Sequence, residues 1–342
     1  MEILKQVVGI DISKDTFTVC VGHLESPQES HFSDSSSFTN KKDQFNKFLR
    51  WVKKQLQRPS DPVWFVMEAT GVYYESLAYY LCDQGHQVVV ELPNTIKHYA
   101  KSLPVKSKTD DLDARMIARF GLERKLQRWN KPAEIIRSLR FLVREYMNLR
   151  KITTQVKNQI HAKAHTYQPL PETLNRLKAL KKTYEKQMKA IEVQVYELIE
   201  KDDELKKGIE YLDSIEGVGM MTAVGVVAET NGFAFIKNMK QIASYAGLDV
   251  RLNQSGTFNG KSSISKKGNK YLRQLVYMPA LAAIRFNEHL KIVYERLVAK
   301  KQNKKIALIA VARKLLCLMF TIWKKKELYQ PDYYKTRKVV TA

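Results

Sequence analysis

Four carboxylate side chains in the first third of the chain are spaced so that they could share divalent cations. Asp110 and Asp113 lie three residues apart where a helix is predicted to begin, so both project from one helix face. Asp11 lies inside one apolar run and Glu68 follows another. Oxygen ligands favour Mg²⁺ or Mn²⁺, and no Cys/His set has the spacing of a zinc site. Such a site can activate an attacking oxygen and stabilise the leaving oxygen in phosphodiester chemistry.

A simpler interpretation of the aspartate run stays open. An Asp-Asp-Leu-Asp sequence at a helix start can serve only as a cap and as a match for the helix dipole. Asp11 favours the metal interpretation, because an acid within an apolar strand has few structural explanations.

The elements that must position these acids are several short strands followed by helices that alternate with strands. Strands are predicted at Val7–Ile12, Thr16–Val21, more weakly His31–Phe38, then Val63–Met67 and Gln87–Leu92. Helices are predicted at Lys42–Gln57, Tyr73–Asp83, Asn94–Leu103 and from Asp110 onward. This order matches the ribonuclease H-like fold, in which one acid lies on strand one, another follows strand four and the rest lie on a late helix. An actin-like or sugar-kinase ATPase domain needs a second glycine-rich phosphate loop, which the sequence lacks.

Two long helical segments follow, Ile135–Tyr167 and Glu172–Asp202, with a turn at residues 168–171. The second segment carries a heptad stripe at Leu177, Tyr184, Ile191 and Leu198, with Met188 and Val195 at companion positions. The pattern predicts an antiparallel helical hairpin of coiled-coil type. It serves either as a spacer or dimer arm, or as a surface whose basic residues track phosphates, namely Arg137, Arg140, Arg144, Arg150, Lys151 and Lys157.

The last part of the chain is predicted to be mostly helical. Gly217-Val218-Gly219 separates two short apolar helices within Leu212–Glu229, either to bind a phosphate at a helix start or as a tight turn. A short helix at Asn238–Gly247 precedes a polar loop at Asp249–Ser263. Three basic-decorated helices end the region, at Tyr271–Phe286, His289–Lys300 and Lys304–Trp323.

These patterns predict an α/β plus all-α chain with three domains. The predicted boundaries are an α/β metal domain at 1–130, the helical hairpin at 131–206, a mostly helical domain at 207–328 and a tail at 329–342.

Charge and composition narrow the partner class. The 342 residues carry a formal charge of +23 and 44% hydrophobic residues, which indicates a globular chain and not a disordered tail. From Arg251 to the end, 21 Lys and Arg stand against four acids. This surplus is interleaved with core-like helices, which favours nucleic acid over a membrane surface as the partner.

The sequence also favours a cytoplasmic location. Cys20, Cys82 and Cys317 lie far apart in apolar runs, as expected of free thiols in a reducing compartment. The first residues enter a strand at once, which leaves no room for a signal peptide. Arg313 and Lys314 interrupt the most apolar later stretch, so it is predicted to be a core helix and not a membrane span.

The motifs taken in order resemble one known family across nearly the whole chain. They are DISK at Asp11–Lys14, MEATG at Met67–Gly71, KTDDLDA at Lys108–Ala114, and then EGVG, SYAGL and ISKKGNKYLR. Together they resemble the insertion-sequence one-ten family of DEDD transposases, whose catalytic domain is similar to the RuvC Holliday-junction resolvase.

The resemblance implies a composite catalytic site. It assigns Asp11, Glu68, Asp110 and Asp113 as the Mg²⁺-binding tetrad and leaves Asp111 outside the pattern. It also implies a serine that attacks DNA and forms a covalent 5′-phosphoserine, and Ser255 before Gly256 matches that position. Alternative serines are close by, at Ser262, Ser263 and Ser265, and Ser265 could instead cap the next helix. Basic residues near the serine are expected to hold the DNA backbone, namely Lys261, Lys266, Lys267, Lys270 and Arg273.

The resemblance also implies partners. Members are guided by a structured bridge RNA that pairs with donor and target DNA, and they act as dimers that assemble into tetramers. Guidance by base pairing would explain why the sequence contains no compact base-reading module. The competing predictions are a RuvC-like junction nuclease that cuts by water attack, and a non-catalytic RNA- or DNA-binding protein.

Overall fold

The protein is described here by a computed structural model that covers residues 3–26, 29–103, 109–251, 254–255, 258–259 and 263–331. The chain divides into two compact units, which we call unit 1 (Met1–Lys131) and unit 2 (Pro132–Ala342). Most of the predicted tail lies outside the described residues, from residue 332 onward.

Unit 1 contains a mixed β-sheet. Its strands are β1 (Lys5–Ile12), β2 (Thr16–Ser26), β3 (Glu29–Phe32), β4 (Ser36–Thr39), β5 (Val63–Glu68) and β6 (Gln87–Glu91). The main order is β3-β2-β1-β5-β6, and β4 also pairs with β2. β2 runs antiparallel to β1, whereas β5 and β6 continue the sheet in parallel with β1. The predicted order, with strands first and then helices that alternate with strands, is therefore observed.

The single weak strand predicted near His31–Phe38 was wrong in detail, because two separate strands occupy this region. β2 is 11 residues long, which lets β4 pair with its first half and β3 with its second half. Phe38 of β4 stacks on Phe17 of β2 with ring centroids 5.6 Å apart, so the extra strand completes an aromatic core.

Helices cover both faces of this sheet. They are α1 (Lys42–Gln55), α2 (Glu75–Asp83), α3 (Pro93–Lys101) and α4 (Asp110–Glu123). α1 and α2 bury Phe45, Phe48 and Leu77 in one hydrophobic cluster with Val8 and Ile10 of β1. α3 and α4 form a second cluster on the opposite face, which includes Val7 and Val66. Because neighbouring residues of a strand point to opposite faces, this division assigns each strand residue to one layer.

Unit 2 is mainly helical. Its helices are α5 (Glu134–Ala164), α6 (Pro171–Ile199), α7 (Asp203–Asp213), α8 (Met220–Thr230), α9 (Met239–Tyr245), α10 (Lys270–Phe286), α11 (Glu288–Lys301) and α12 (Lys304–Lys325). α5 and α6 pair as the predicted helical hairpin. Val143 of α5 and Val195 of α6 share one hydrophobic core with α8, α10 and α12. The hairpin is therefore part of the unit 2 core at one end, while Tyr167 at its tip is 91% exposed.

Within the described part of the chain, α12 is the one helix apolar and long enough to cross a membrane by length and composition. In its most apolar stretch 56% of the residues are buried inside the protein. Val311, Leu315 and Met319 contribute to the unit 2 core, so α12 packs as the core helix that the sequence predicts.

Candidate active site

Asp11 and Glu68 are neighbours at the same edge of the unit 1 sheet. β1 and β5 are parallel, with Ile10 opposite Met67, so the two acids are the next residues of adjacent strands. Adjacent strands lie about 4.8 Å apart. Val7 and Val66 belong to the cluster beneath α4, and alternation along each strand turns Asp11 and Glu68 toward that same face. Both acids are only partly buried.

The direction of α4 is fixed by two glycines. A Cβ atom at Gly9 would overlap the backbone of Ala114 and Ala118, so the helix crosses β1 directly at Gly9. A Cβ atom at Gly121 would lie 2.5 Å from Val7 Cγ1, which places the end of the helix over the start of β1. α4 therefore runs antiparallel to β1, and its first turn lies toward Asp11.

The buried stripe of α4 extends back to two of the aspartates. Ala114, Ile117 and Gly121 are buried, and Asp110 and Asp113 occupy earlier positions of the same stripe. Asp113 is partly buried, while Asp110 and Asp111 are exposed. The structure thus brings together the carboxyl ends of β1, β5 and β6 and the first turn of α4, which we call the carboxylate edge.

Thr109 accounts for the helix cap. Its hydroxyl oxygen accepts a hydrogen bond from the Leu112 backbone N–H at 3.3 Å. None of the three aspartates is the N-cap residue, although all of them lie in the first turn, where the helix dipole favours negative charge. Capping alone therefore does not explain the position of Asp113 on the sheet-facing stripe.

Glu91 is an acid of this edge that sequence reasoning missed. β5 and β6 are parallel with Glu68 directly opposite Glu91, and Val89 belongs to the cluster beneath α4. Glu91 therefore shares the face of Asp11 and Glu68. Burial raises the pKa of the Glu91 carboxyl above its ordinary value. In the sequence, Glu91 is visible only as an acid at the end of an apolar run. The register that sets it opposite Glu68 is decided when the strands pair in the sheet.

The donors at the carboxylate edge are all carboxylate oxygens, which fits the preference of Mg²⁺ and Mn²⁺. Among the described residues, a tighter acidic cluster occurs elsewhere, where ligand atoms of Glu25, Glu29 and His31 lie within 4.8 Å of one another. Leu24 pairs with Lys5 at the start of β1, so this cluster is about 20 Å along the strand from Asp11. The two groups cannot hold the same ion.

The serine predicted as nucleophile lies in a small hairpin of unit 2. We call residues 249–265 the serine hairpin. Its base is the pair β7 (Val250–Arg251) and β10 (Ser263–Ile264), and within it β8 (Gln254–Ser255) pairs with β9 (Phe258–Asn259). Ser255 is opposite Phe258 in this ladder. Lys261 and Ser262 lie outside the described residues.

Ser265 has a structural contact at the hairpin base. Its hydroxyl donates to Asp249 Oδ1 at 2.6 Å, and its backbone N–H donates to Asp249 O at 2.9 Å. The interpretation of Ser265 as the cap of the next helix is wrong, because Asn269 caps α10.

The predicted nucleic-acid residues divide into two groups. Three arginines are held by contacts inside unit 2. Arg140 Nε donates to Ala228 O at 2.9 Å, and Arg273 Nη1 donates to Ala246 O at 2.7 Å. Arg144 binds both carboxylate oxygens of Glu229, at 2.6 and 2.9 Å. Burial alone would lower the pKa of Arg144, but the hydrogen bonds and charge of Glu229 raise it above its ordinary value.

The second group is available to a ligand. Arg150, Lys151 and Lys270 are exposed, and none forms an ion pair with a carboxylate among the residues that the structure describes. They line a cavity of about 490 Å³ between α5, the start of α8 and α10. We call this cavity the basic groove. Lys266 and Lys267 are exposed on the chain between the serine hairpin and α10.

Both units match known transposase domains. A model for the DEDD domain of IS110-type transposases, described as "Transposase", matches residues 8–169. A second model, described as "Transposase IS116/IS110/IS902 family", matches residues 209–295. The class indicated by the fold and the site is thus that of DNA transposases and recombinases.

Relatives agree with this class over most of the chain. The pilin gene-inverting protein of Moraxella bovis is 29% identical over 327 residues, which cover 93% of this chain and 95% of the relative. The corresponding protein of Moraxella lacunata is 29% identical over 326 residues with the same coverage. A transposase for insertion sequence element IS1111A of Coxiella burnetii is 26% identical over 162 residues, 46% of this chain and 41% of the relative. Two stretches of the chain, residues 8–169 and 209–295, are thus similar to domains of IS110-type transposases.

Proposed function

We propose that this protein is the recombinase of an insertion sequence, which cleaves and exchanges DNA strands through a covalent 5′-phosphoserine at Ser255. In this proposal Asp11, Glu68, Asp110 and Asp113 hold Mg²⁺, with Mn²⁺ as a possible substitute. The observation that carries the proposal is the carboxylate edge, where parallel register sets Asp11 beside Glu68 and the direction of α4 brings the first turn of that helix to the same place.

The order of the unit 1 sheet supports a ribonuclease H-like fold. An antiparallel group of strands is followed by two parallel strands, and α4 lies across the first strand with its start at the carboxylate edge. Catalytic carboxylates on a central strand, its parallel neighbour and a late helix are the arrangement that the sequence predicts for such a fold.

The four carboxylates are suited to a hard divalent cation by donor chemistry. When bound, such ions lower the pKa of an attacking hydroxyl and neutralise charge on a leaving oxygen. The carboxylates of the chain would hold the charge of the ion at a fixed place, and Asp11 and Glu68 would do so from adjacent parallel strands.

The proposed chemical step exchanges one ester for another. Ser255 Oγ forms a bond to the phosphorus of a DNA phosphodiester, and the bond from phosphorus to the 3′ oxygen breaks. The proton of the serine hydroxyl is released, and the 3′ oxygen is protonated as it leaves. Since a phosphate ester replaces a phosphate ester, the reverse reaction with a new 3′ hydroxyl rejoins the strand without ATP.

The basic groove is the proposed binding site in unit 2 for the phosphate backbone of a nucleic acid. Three exposed cations surround it, Arg150, Lys151 and Lys270, which form no ion pair with a carboxylate in the described part of the chain. The first turn of α8 after Gly219 borders it at Met221 and Thr222. Backbone N–H groups at a helix start favour anions. Lys266 and Lys267, exposed between the serine hairpin and α10, add to this charge, and Lys261 lies outside the described residues. Arg140 and Arg273 are held by backbone oxygens within the unit, and Arg144, which also lines the groove, is bound to Glu229.

A structured guide RNA and a dimer that assembles into a tetramer complete the proposal. The support for a polyanionic partner is the formal charge of +23. Support for the RNA and for the assembly comes from the family resemblance alone, and the location is expected to be the cytoplasm.

Two other functions make different predictions. A junction nuclease would use the carboxylate edge to cut DNA by water attack, with Ser255 only a loop residue. A non-catalytic protein would bind nucleic acid without strand cleavage and without a requirement for Mg²⁺.

The discriminating experiment uses purified protein, Mg²⁺, RNA transcribed from the sequence flanking the gene, and labelled donor and target DNA. The expected product is an SDS-resistant protein–DNA adduct that requires Asp11 and Ser255. Ser255→Ala is expected to abolish it, while the matched control Ser263→Ala, at the hairpin base, retains it. Free cleaved DNA that survives Ser255→Ala would establish the nuclease instead. Binding without any cleavage would establish the non-catalytic protein.

DNA inversion is a second candidate outcome of the same chemistry. Two relatives matched over 93% of this chain are named for inverting a pilin gene. A plasmid that carries the proposed donor and target sites in inverted orientation separates the outcomes, because inversion leaves one circle of unchanged length whereas transposition changes the length.

A further inference from the structure

Glu229 is a buried carboxylate at the centre of unit 2 that joins three separate elements. It lies at the end of α8 and is 3% exposed. Arg144 of α5 donates to both of its oxygens, and the Asn269 side-chain amide donates to Oε2 at 2.6 Å. We call Arg144, Glu229 and Asn269 the Arg144 network. Its members are 85 and 40 residues apart in sequence from Glu229, so it forms only when unit 2 is folded.

Asn269 carries two functions through one side chain. Its amide oxygen accepts hydrogen bonds from the backbone N–H groups of Tyr271, at 2.8 Å, and Leu272, at 3.2 Å, and so caps α10. Its amide N–H₂ donates to Glu229. The hydrogen bond to Glu229 therefore favours the same rotamer of Asn269 that caps α10. Asn269 also donates its backbone N–H to Tyr245 O at 2.8 Å.

These contacts determine where the serine hairpin leaves the unit. The Tyr245 hydroxyl donates to the backbone oxygen of Glu229 at 3.2 Å. Arg273 donates to Ala246 O and Gly268 O, which bridges the two chain segments flanking the hairpin. A Cβ atom at Gly268 would lie 2.8 Å from Gly247 N, so the two segments are in direct contact. The hairpin thus stands on a base that is tied to Glu229.

A buried ion pair adds less stability than its contacts suggest, because both charges lose hydration. Apolar side chains of similar volume would fill the same space at comparable or lower cost. The hydrogen bonds from Arg144 and Asn269 to the two oxygens of Glu229, however, require one relative orientation of the three side chains. The geometry favours placement of the hairpin as the role of the Arg144 network.

We propose that the Arg144 network is a positioning device for strand transfer, in which Glu229 and Asn269 fix the base of the serine hairpin and so the place of Ser255, without contacting DNA themselves. This inference rests on the proposed function of Ser255. It adds two positioning residues, Glu229 and Asn269, and assigns Arg144, which also lines the basic groove, a role in the network.

The test exchanges the two partners. Asn269→Asp sets a carboxylate against Glu229, and Glu229→Gln sets an amide against the amide of Asn269. Each single variant is expected to slow adduct formation at saturating DNA about tenfold, because one buried polar contact is lost. In the double variant Glu229→Gln, Asn269→Asp the new amide can donate to the new carboxylate, and Asp is as good a helix cap as Asn. Arg144 Nη2 donates to the same Oε2 of Glu229, so one Arg144 hydrogen bond is still lost. The rate loss of the double variant is therefore expected to be smaller than the product of the two single losses, which is the sign of coupling between the two residues.

Three measurements separate positioning from general damage. DNA affinity and the thermal midpoint are measured beside the adduct rate, and the inference requires a rate loss larger than any loss of affinity or folded fraction. Asn303→Asp, at the cap of α12, is the control for the amide change, and Glu145→Gln, exposed on α5, is the control for the carboxylate change. Both are expected to behave as wild type. Should Asn269→Asp fail to fold, Asn269→Ser keeps a capping side chain and removes the contact with Glu229.

Unchanged adduct rates in the single variants would overturn the inference. A folded double variant whose rate loss equals the product of the two single losses would also overturn it. The wild-type reaction decides the proposed function separately: free cleaved DNA without an adduct would remove the role of Ser255, whatever the variants do.

Discussion

The carboxylate edge of unit 1 and the serine hairpin of unit 2 are positioned by different kinds of interaction. At the carboxylate edge, strand register and close helix packing at Gly9 hold the acids, and each acid belongs to the element that places it. At the serine hairpin, the base and the chain that follows it are held by side-chain hydrogen bonds, from Ser265 to Asp249 and from Asn269 to Glu229. A site set by register can be anticipated from patterns of apolar residues. A site set by a side-chain network requires the tertiary structure.

The largest expected effect is a difference in DNA cleavage between substitutions at two aspartates in the first turn of α4. Asp113 lies on the sheet-facing stripe of α4, whereas Asp111 is exposed beside it. Asp113→Asn is expected to reduce DNA cleavage about a thousandfold or more, since a metal-binding carboxylate is lost. Asp111→Asn is expected to leave cleavage within about twofold of the wild type. Gel assays of labelled DNA measure both. Equal losses in the two variants would contradict the assignment by helix face.

The next effect tests the helix packing that positions the edge. Gly9→Ala places a methyl group against the backbone of α4, which cannot move away as a flexible side chain can. Unfolding free energy is expected to fall by about 3 kcal/mol or more. Gly219→Ala is the control, because a Cβ atom there meets no atom within 4 Å, and its cost is expected to be about 1 kcal/mol or less. Denaturant unfolding followed by circular dichroism compares them. A stable Gly9→Ala protein would refute the close approach of α4.

A smaller loss of stability is expected from breaking the network of unit 2. Arg144→Ala leaves the buried carboxylate of Glu229 without its bidentate partner. Because the Arg144 side chain is 39% exposed, water compensates in part, and a loss of about 2 kcal/mol is expected. Arg150→Ala, on the same helix and exposed, is expected to change stability by about 0.5 kcal/mol or less. Comparable midpoints of denaturant unfolding for the two variants would show that the ion pair contributes nothing to stability.

The smallest effect concerns the basic groove, and it leaves folding intact. Replacement of both Arg150 and Lys151 by Ala removes two cations that have no carboxylate partner among the described residues. The slope of log affinity against log salt is expected to become shallower by about 2 for double-stranded DNA. Replacement of two exposed lysines on the outer face of α6, Lys178 and Lys182, is the control and is expected to leave the slope unchanged. An unchanged slope in the groove variant would remove the groove from the DNA surface.

The sequence predicted more of unit 1 than of unit 2 for a physical reason. Alternating and helical periodicities come from local geometry, so the strands around Asp11 and Glu68 and the start of α4 were predicted closely. The prediction of one strand near His31–Phe38 failed because β2 is long enough to pair with two. Glu91 was missed because only the sheet register sets it opposite Glu68.

In unit 2 the two-helix hairpin and the last three helices were also predicted closely. The short helix predicted before Gly217 was wrong in position, because it was expected to begin at Leu212 and α7 spans Asp203–Asp213. The functions of individual arginines could not be predicted. The sequence pattern of a basic residue on a helix is the same whether its side chain binds a phosphate or a buried carboxylate. Arg144 and Arg150 are both basic residues of α5 that line the groove, yet Arg144 binds Glu229 whereas Arg150 has no carboxylate ion pair among the described residues. Ser265 likewise bonds to Asp249 and leaves the capping of α10 to Asn269.

The sequence by itself determined the order of elements, the acids and serine suited to phosphodiester chemistry, the excess of positive charge and the family resemblance. These properties depend on residue type and spacing along the chain. Only the tertiary structure decided which charged side chains are paired with other groups inside the protein. It joined Arg144, Glu229 and Asn269, set Glu91 beside Glu68, and left Arg150, Lys151 and Lys270 around one cavity. The reason is that burial and pairing depend on which distant residues meet, and no local pattern contains that information.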